Sequence, residues 1–240
     1  MLAVTTFSKS GYEQYAKDCL DSVEKYWPTK LIAYAEFPLE HPGIEVRDFF
    51  SIPGTDAFYR YLREVPLAHG KTPQGYNYNL DAWKFTRKVF AQIHVLQNAQ
   101  EKVIWLDADT IVKKPVSLDW LENLFDGQPL VILDRPGFHS ETGFVGFDPL
   151  HKDFPTFLQA YTDCLQRGIL FTLDRWHDCA ALDWARKQSG CGAKDLSPFF
   201  KVPTDRPLSL DDLDVFSKSV LSEFLDHRKG GKKGYFARVA

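Results

Sequence analysis

The chain has 240 residues, of which 44% are hydrophobic and 25% are charged, and this composition excludes an intrinsically disordered protein. Lysine and arginine together number 29 and aspartate and glutamate number 32, so the net charge is -3. That balance excludes a general electrostatic attraction to nucleic acid or to an anionic membrane, and any basic binding site has to be local.

Short β-like runs alternate with longer helical stretches along the chain, which predicts a layered α/β domain. In the first part of the chain, the predicted elements are a strand at 2–7, a helix from about 11 to 26, and strands at 31–36 and 44–50. The helix is expected to end at Trp27, because Pro28 disfavours helical backbone in the residue before it.

Apolar residues recur at steps of three and four between Asn79 and Leu96, which predicts a helix with one buried face. After this helix, the predicted elements are strands at 102–109, 130–134 and 142–147 and helices near 151–167 and 176–188. Before it, residues 66–78 are rich in glycine, proline and polar residues. We expect them to form a surface loop that lies over a site.

The segment VIWLDADTIV carries two carboxylates, Asp107 and Asp109, at the end of an apolar run. Strand side chains alternate between faces, so residues i and i+2 point the same way, and these two carboxylates are expected to share a cation. Mg²⁺ and Mn²⁺ prefer oxygen ligands and are often completed by substrate phosphates. The alternative is a turn with two solvated aspartates.

A second pattern lies in the basic segment at the end of the sequence, where His227, Gly230 and Lys233 have the spacing H-x-x-G-x-x-K. Imidazole can complete the ligand set of a metal, glycine lets the backbone approach a phosphate, and lysine neutralises charge on a departing phosphate. A solvated basic tail is the alternative interpretation.

Together, the L-D-A-D strand end, the later T-G-F-V-G-F strand, an aspartate at a subsequent helix start and the H-x-x-G-x-x-K pattern resemble the GT-A-fold nucleotide-sugar glycosyltransferases. The resemblance is nearest to the glycogenin-like glycosyltransferase family eight. It implies a single GT-A-like, Rossmann-like domain over residues 1–240, with a mixed, mostly parallel sheet flanked by helices. It also implies a nucleotide-binding half (1–112), an acceptor half (113–226) and a tail (227–240) that closes on the diphosphate.

The resemblance assigns most of the donor site. It implies that Asp107, Asp109 and His227 hold Mn²⁺ or Mg²⁺, and that Lys233 contacts the diphosphate as a catalytic residue, with Gly230 allowing close backbone approach. The other implied donor contacts are Thr5, Thr6 and Phe7 of the first strand, Tyr12 beside the base, Lys88 on the helix before the DxD motif, and Ala108 within that motif. For Lys88, an exposed salt-bridged helix face is the alternative.

The sequence departs from the family at two of these places. The proline-tryptophan pair that usually follows the lysine is replaced by Gly234 and Tyr235. Tyr12 lies one residue further from Thr6 than the family pattern expects, so a gap is needed to match it. These departures weaken the assignment to the family more than the assignment to the fold.

On the acceptor side, the family's aspartate-glutamine pair is represented by Asp178, which has no glutamine after it. The resemblance implies that Asp178 orients the acceptor or stabilises an oxocarbenium-like state, with Asp174 and His177 as alternatives in the same stretch. Gly143 is expected to let a sugar or an acceptor approach the backbone, or else to form a simple turn. Trp176 and His177 are expected to supply an apolar wall and a polar contact.

These expectations describe a metal-dependent glycosyltransferase of the hexosyltransferase type. It would move a sugar from a nucleotide-diphosphate donor, expected to be a UDP-sugar, to a hydroxyl acceptor such as a glycan, with retention. One alternative is a haloacid-dehalogenase-like phosphatase that uses Asp107 and Asp109, which the mid-chain position of the motif and the placement of Thr110 disfavour. The other alternative is a non-catalytic GT-A homologue that binds a nucleotide or a glycan.

The sequence also carries expectations about location and partners. No stretch approaches the roughly 20 apolar residues of a membrane span, and the start of the sequence lacks the basic and apolar regions of a signal peptide. Four scattered cysteines favour reduced, buried thiols. We therefore expect a cytoplasmic protein without a transmembrane segment or a nucleic-acid partner, peripheral at the membrane where its acceptor is lipid-linked.

Overall fold

The structure is a computed structural model that describes residues 1–228, and its centre is a β-sheet. The strands of this range, in chain order, are β1 (Leu2–Phe7), β2 (Leu31–Ala35), β3 (Glu45–Asp48), β4 (Lys71–Thr72), β5 (Gly75–Tyr76), β6 (Val103–Leu106), β7 (Thr110–Val112), β8 (Leu130–Leu133), β9 (Glu141–Phe147), β10 (Lys194–Asp195) and β11 (Leu225–His227). Seven of the described strands form one sheet in the order β10-β8-β9-β6-β1-β2-β3.

The sheet is mixed and mostly parallel, as the sequence analysis predicted. β1 runs parallel to β2 and β6, β2 to β3, and β8 to β10. β9 is antiparallel to both β6 and β8. Apart from this sheet, β7 pairs with β11 and β4 pairs with β5, in two short antiparallel ladders.

Helices flank both faces of the sheet. Within residues 1–228 they are α1 (Lys9–Gly11), α2 (Lys17–Tyr26), α3 (Thr55–Arg63), α4 (Ala82–Leu96), α5 (Leu118–Asn123), α6 (Phe154–Gln166), α7 (Asp178–Ser189), α8 (Leu210–Leu213) and α9 (Val215–Lys218). A π-helical segment, Tyr12–Ala16, joins α1 to α2, so the predicted helix after β1 is continuous. No helix in the described range has both the length and the apolar character that crossing a bilayer requires.

The two faces of the sheet bury two separate apolar clusters, because strand side chains alternate. Val4 and Trp105 point to the face covered by α4, α6 and α7. Ala3 and Ile104, one residue before each of them, point to the face covered by α2 and α9. Burial on both faces explains why the central strands are near-continuous apolar runs.

The topology brings four strand ends to one edge of the sheet. β1, β2 and β6 are parallel, so their carboxyl ends meet there, and β9 begins at the same edge because it runs antiparallel to β6. The backbone N–H of Asp107, just after β6, donates to the carbonyl of Gly143 in β9 at 2.9 Å. The carboxyl ends of parallel strands are where α/β sheets bind ligands.

Three local predictions need correction. The predicted strand at 102–109 is wrong beyond Leu106, because Asp107 opens a turn in which its carbonyl accepts from Thr110 N at 2.9 Å. The chain bends here so that β7 can leave the main sheet and pair with β11. The predicted third strand ends at Asp48, whose carboxylate accepts from Phe50 N at 2.9 Å and begins a 3-10 helix.

The third correction concerns the predicted loop at 66–78. It contains a 3-10 helix, Pro66–His69, and the β4–β5 hairpin. The hairpin closes because Thr72 Oγ1 donates to the carbonyl of Gly75 at 2.7 Å, while Gly75 adopts a φ of 113° that favours glycine. The helices α3, α5, α8 and α9 and the short strands β7, β10 and β11 have no counterpart in the sequence predictions.

Candidate functional site

Three potential metal ligands meet at the sheet edge. The β7–β11 ladder places Thr110 opposite His227, and Arg228 N donates to the carbonyl of Asp109 at 2.9 Å. His227 Nε2 therefore lies 3.0 Å from Asp109 Oδ1 and 3.6 Å from Asp107 Oδ2. One ligand atom from each of the three residues lies within 4.8 Å of the others, so the predicted set is brought together.

The two aspartates reach the same point because of the turn between β6 and β7. Strand alternation, which was the reason given for their convergence, does not apply after Leu106. Ala108, the residue between them, is buried within the turn. The two oxygens of Asp107 have different partners: Oδ1 accepts from Trp105 Nε1 at 2.7 Å, and Oδ2 faces His227.

Gly143 makes room for the imidazole. A Cβ atom built on Gly143 would lie 2.3 Å from Cε1 of His227, a distance that real Cβ contacts do not show. On another side the Phe216 ring packs against the imidazole, with centroids 4.9 Å apart. The expected approach of a sugar or an acceptor to Gly143 stays a prediction, and in the structure the adjacent space holds His227.

The chemistry of this set fits a divalent cation. His227 is buried, and its Nδ1 has no hydrogen-bond partner among residues 1–228, while Nε2 faces two carboxylates. Burial lowers the pKa of His227, but Asp109 above all, together with Glu141 and Asp107, raises this pKa above its ordinary value. Two carboxylates and an imidazole in one place are ligands that Mn²⁺ or Mg²⁺ can use.

Lys88 connects this cluster to a third carboxylate, that of Asp178. Its side chain is buried, and its Nζ lies 2.8 Å from Asp107 Oδ1 and 3.0 Å from Asp178 Oδ2 and donates to the carbonyl of Thr142. The alternative of an exposed helix face therefore does not describe Lys88. Burial lowers the pKa of Lys88, but the charges of Asp107 and Asp178 raise it by more. The net pKa lies above its ordinary value, so the ammonium group stays protonated.

Asp178 is the first residue of α7, and its carboxylate is held in the site. Its Oδ2 accepts a hydrogen bond from Thr142 Oγ1 at 2.6 Å in addition to the Lys88 contact. Burial raises the pKa of Asp178, but Lys88 and Thr142 outweigh it, so this pKa lies below its ordinary value and the carboxylate is ionised. Of the three candidates in this stretch, Asp174 instead faces His139 Nε2 at 3.1 Å.

His177, the third candidate, is only 4% exposed, and its Nε2 donates to the carbonyl of Tyr78 at 2.7 Å. Its neighbour Trp176 packs edge-on against Phe171, with ring centroids 5.1 Å apart. Burial lowers the pKa of His177, which keeps the imidazole neutral. A contact of either side chain with an acceptor stays a prediction, and what His177 visibly does is support the backbone of Tyr78.

Tyr78 is a residue that the sequence analysis missed. The residue is 49% exposed, and its ring stands edge-on to His177, with centroids 4.7 Å apart. The pKa of Tyr78 is raised by burial and next by the charge of Asp178, which indicates that the ring lies within electrostatic reach of that carboxylate. The sequence signal that could have indicated it is the presence of a tyrosine in the segment 66–78, which is otherwise rich in turn-forming residues.

The end of β1 carries the residues expected to meet the nucleotide. Thr5 is fully buried, and its Oγ1 has no hydrogen-bond partner in the described part of the chain, whereas Thr6 Oγ1 donates to the carbonyl of Tyr34 at 2.8 Å. The Phe7 and Tyr12 rings lie 5.7 Å apart, and Tyr12 is partly exposed. Contact of these residues with a nucleotide stays a prediction. Gly230 and Lys233 lie outside the described residues, which end at Arg228.

No protein-family model matches the sequence, and no curated protein matches it. The galactosyltransferase LgtC, solved with donor and acceptor sugar analogues, is similar in structure with a TM-score of 0.55 and 14% identity, over 96% of this chain and 88% of that one.

Two further glycosyltransferases are similar in structure. Mouse xyloside xylosyltransferase 1 matches with a TM-score of 0.50 and 11% identity, over 84% of this chain and 87% of that one. The bifunctional glycosyltransferase WbbM matches with a TM-score of 0.51 and 12% identity, and the match covers 96% of this chain but 46% of WbbM. At such identities the likeness shows the fold, which is the GT-A type of these glycosyltransferases.

Proposed function

We propose that this protein is a metal-dependent glycosyltransferase that moves a hexose from a nucleotide-diphosphate donor, a UDP-sugar, to a hydroxyl acceptor. The observation that carries the proposal is one junction of side chains. Lys88 joins a carboxylate-carboxylate-imidazole set to a third carboxylate, that of the buried Asp178, at the edge where an α/β sheet binds ligands. The GT-A-type fold supports the same conclusion.

On the donor side, Asp107, Asp109 and His227 would hold Mn²⁺ or Mg²⁺. A divalent cation bound there would stabilise the negative charge that develops on the departing diphosphate. The chain prepares this site by fixing Asp107, because Trp105 and Lys88 both donate to Oδ1 and leave Oδ2 directed at the ligand cluster. In the proposal, Gly230 and Lys233 add backbone and charge contacts to the diphosphate.

On the acceptor side, Lys88 and Thr142 keep Asp178 ionised and aimed at the site. Asp178 would orient the attacking hydroxyl or stabilise positive charge at the sugar carbon during a reaction with retention. The half-exposed Tyr78 ring, held by His177, provides an apolar face beside it of the kind on which sugar rings pack. Trp176, His177 and Gly143 complete the acceptor side of the proposal.

The nucleoside pocket of the proposal is at the end of β1. Thr5, Thr6 and Phe7 would line it, and the partly exposed Tyr12 ring would stack on the base, next to Phe37 at 5.7 Å. Membership in the glycogenin-like family eight belongs to the same proposal, supported by the order of the DxD motif and His227 along the chain. So do the division into a nucleotide half and an acceptor half and the retaining outcome.

Thermal unfolding in the presence of UDP, with and without Mn²⁺, tests the donor site, with ADP, GDP and CMP as controls. A ligand at a hundredfold excess over its Kd stabilises the native state by about 2.7 kcal/mol, which raises Tm by roughly 5–11 °C for a domain of this size. We expect that rise only with UDP and Mn²⁺ together. No shift with any of the nucleotides would contradict the proposed donor site.

Asp109→Asn should abolish the Mn²⁺-dependent part of the shift. The matched control is Asp226→Asn, because Asp226 is on the same ladder beside His227 and pairs with Arg228 Nε at 3.3 Å. UDP release from a panel of UDP-sugars, measured with and without simple glycan acceptors, then distinguishes an active glycosyltransferase from a non-catalytic homologue. A Mn²⁺-dependent UDP shift without any UDP release would favour the non-catalytic homologue.

A further inference from the structure

A buried carboxylate, Glu141, lies behind the imidazole of His227. Glu141 is the first residue of β9 and is only 6% exposed. Its Oε1 lies 3.7 Å from His227 Nδ1, on the opposite side of the ring from Nε2, which faces Asp109 and Asp107. The three candidate ligands do not include Glu141, so its buried charge has no role in the proposed mechanism so far.

The position of this carboxylate is set by groups other than His227. Gly143 N donates to Glu141 Oε1 at 3.1 Å, and Arg135 Nη1 lies 3.7 Å from Oε2. Arg135 is itself anchored, since its guanidinium donates to the carbonyls of His139, Ser140 and Leu213. The carboxylate of Glu141 is therefore held by contacts that do not involve the imidazole of His227.

The chemistry of a metal-binding imidazole explains why a carboxylate is useful there. A histidine that binds a cation through Nε2 must carry its proton on Nδ1, and that N–H is almost always donated to a carboxylate or a carbonyl. His227 Nδ1 is buried and has no hydrogen-bond partner within residues 1–228. The carboxylate of Glu141 lies on that side of the ring, with Oε1 3.7 Å from Nδ1.

We propose that Glu141 is a positioning residue for the metal centre. Its carboxylate accepts a hydrogen bond from the Nδ1–H of His227, which favours the tautomer whose Nε2 lone pair faces Asp107 and Asp109, and it holds the ring in the space that Gly143 leaves open. Because the carboxylate is behind the ring, it acts through His227 and not as a ligand. The inference rests on the proposed function for the presence of the cation.

Direct titration of Mn²⁺ by electron paramagnetic resonance, without nucleotide, tests this role. Disturbing the partner that orients a metal-binding histidine typically weakens metal affinity by about 10- to 100-fold. We expect a graded loss: Glu141→Gln keeps an acceptor oxygen and should lose about tenfold, whereas Glu141→Leu removes the acceptor and should approach a hundredfold. Thermal unfolding of the metal-free variants shows whether they fold.

Asp183→Asn is the matched control. The Asp183 carboxylate accepts from the N–H and the hydroxyl of Ser140, at 2.9 and 2.6 Å, and so holds the residue next to Glu141 without facing the imidazole of His227. This variant should bind Mn²⁺ like the wild type. An equal loss in Asp183→Asn would overturn the inference, because displacement of β9 would then explain both results.

Two further outcomes separate the inference from the function on which it rests. If the wild type binds no Mn²⁺, the metal centre of the proposed function is wrong and the inference is overturned with it. If the wild type binds Mn²⁺ and both folded Glu141 variants bind it equally well, the proposed metal centre stands and the positioning role of Glu141 is wrong.

Discussion

Two carboxylates on the same helix serve two different regions of this protein. Asp178 and Asp183 are both on α7, and each accepts a hydrogen bond at 2.6 Å from a hydroxyl near the start of β9, Thr142 for Asp178 and Ser140 for Asp183. Their other partners differ. Asp178 faces the buried ammonium group of Lys88, whereas Asp183 Oδ2 lies 3.1 Å from His139 Nδ1.

Lys88 and His139, the other partners of Asp178 and Asp183, link these carboxylates to different parts of the molecule. Lys88 also binds Asp107, so Asp178 is one residue away from the ligand cluster. His139 instead faces Asp174 at 3.1 Å, so Asp183 ties the segment before β9 to the segment before α7. The same kind of hydrogen bond, from a hydroxyl to a carboxylate of α7, is thus part of the proposed active site at Asp178. At Asp183 it belongs to a structural contact with His139 and Asp174, which we call the clamp.

The largest effect is expected where a cation is removed. Lys88→Met leaves Asp107 and Asp178 without their shared cation, and breaking a buried ion pair on one side costs about 3–5 kcal/mol. The matched change near Asp183 is Arg186→Met, which removes a half-buried guanidinium 3.9 Å from Asp183 and 3.7 Å from Asp134, and these long contacts should together cost only about 0–1 kcal/mol. Urea unfolding of both variants measures the difference, and similar costs would contradict the distinction.

Exchanging each aspartate for its amide compares the two carboxylates directly. Asp178→Asn should lower Mn²⁺-dependent UDP release by about 100-fold or more, the size expected for losing a preorganised charge at the reacting centre. Asp183→Asn should leave UDP release nearly unchanged and lower stability instead. Equal losses of activity in two folded variants would show that the whole β9–α7 contact, and not Asp178, is required.

Gly143→Ala addresses the close approach behind the ligand cluster. The added Cβ would meet the His227 ring at 2.3 Å, so the imidazole has to move. We expect Mn²⁺ affinity to fall by at least about tenfold, as for other changes that misplace a metal ligand. Ser140→Ala is the control on the clamp side and should bind Mn²⁺ normally. A folded Gly143→Ala protein with unchanged affinity would exclude His227 as a ligand.

The smallest effect is a pH dependence confined to the clamp. The hydrogen bond to Asp183 raises the pKa of His139 most, and Asp174 adds to it against the opposing effect of burial. A raised pKa means that the stabilisation is full below the ordinary histidine pKa of about 6.5 and is lost as pH rises through the higher folded value.

Urea unfolding of the wild type and of His139→Gln at pH 6 and pH 9 measures this effect. The difference in unfolding free energy between the two proteins should be larger at pH 6. The same difference at both pH values would contradict the prediction, because His139 would then not act as a charged partner of Asp183.

Much of the site was predictable because its parts lie within short, continuous segments. The apolar run before Asp107 had to be a buried strand, and a polar pair directly after such a strand has to lie at the sheet edge. Lys88 was named because GT-A enzymes, which the sequence resembles, present a basic residue from the helix before that strand, although its burial was not foreseen. Asp178 was named together with two neighbours, and sequence alone offered no way to choose among them.

The other parts depend on contacts between distant segments. Thr142 and Glu141 belong to no sequence motif that marks a site, and their roles arise only because β9 begins beside α7 and behind His227. Tyr78 was missed because its exposed ring acquires meaning from His177, which lies far along the chain.

By itself, the sequence determined the alternation of strands and helices and the polar ends of the central strands, because hydrophobic periodicity and turn residues act over a few neighbouring positions. The tertiary structure alone decided which polar groups face one another. The β7–β11 ladder brings His227 to Asp109, the missing side chain of Gly143 admits the imidazole, and a single buried lysine selects Asp178 over Asp174. Such choices are made by packing between segments separated by many residues, where no local pattern records the partner.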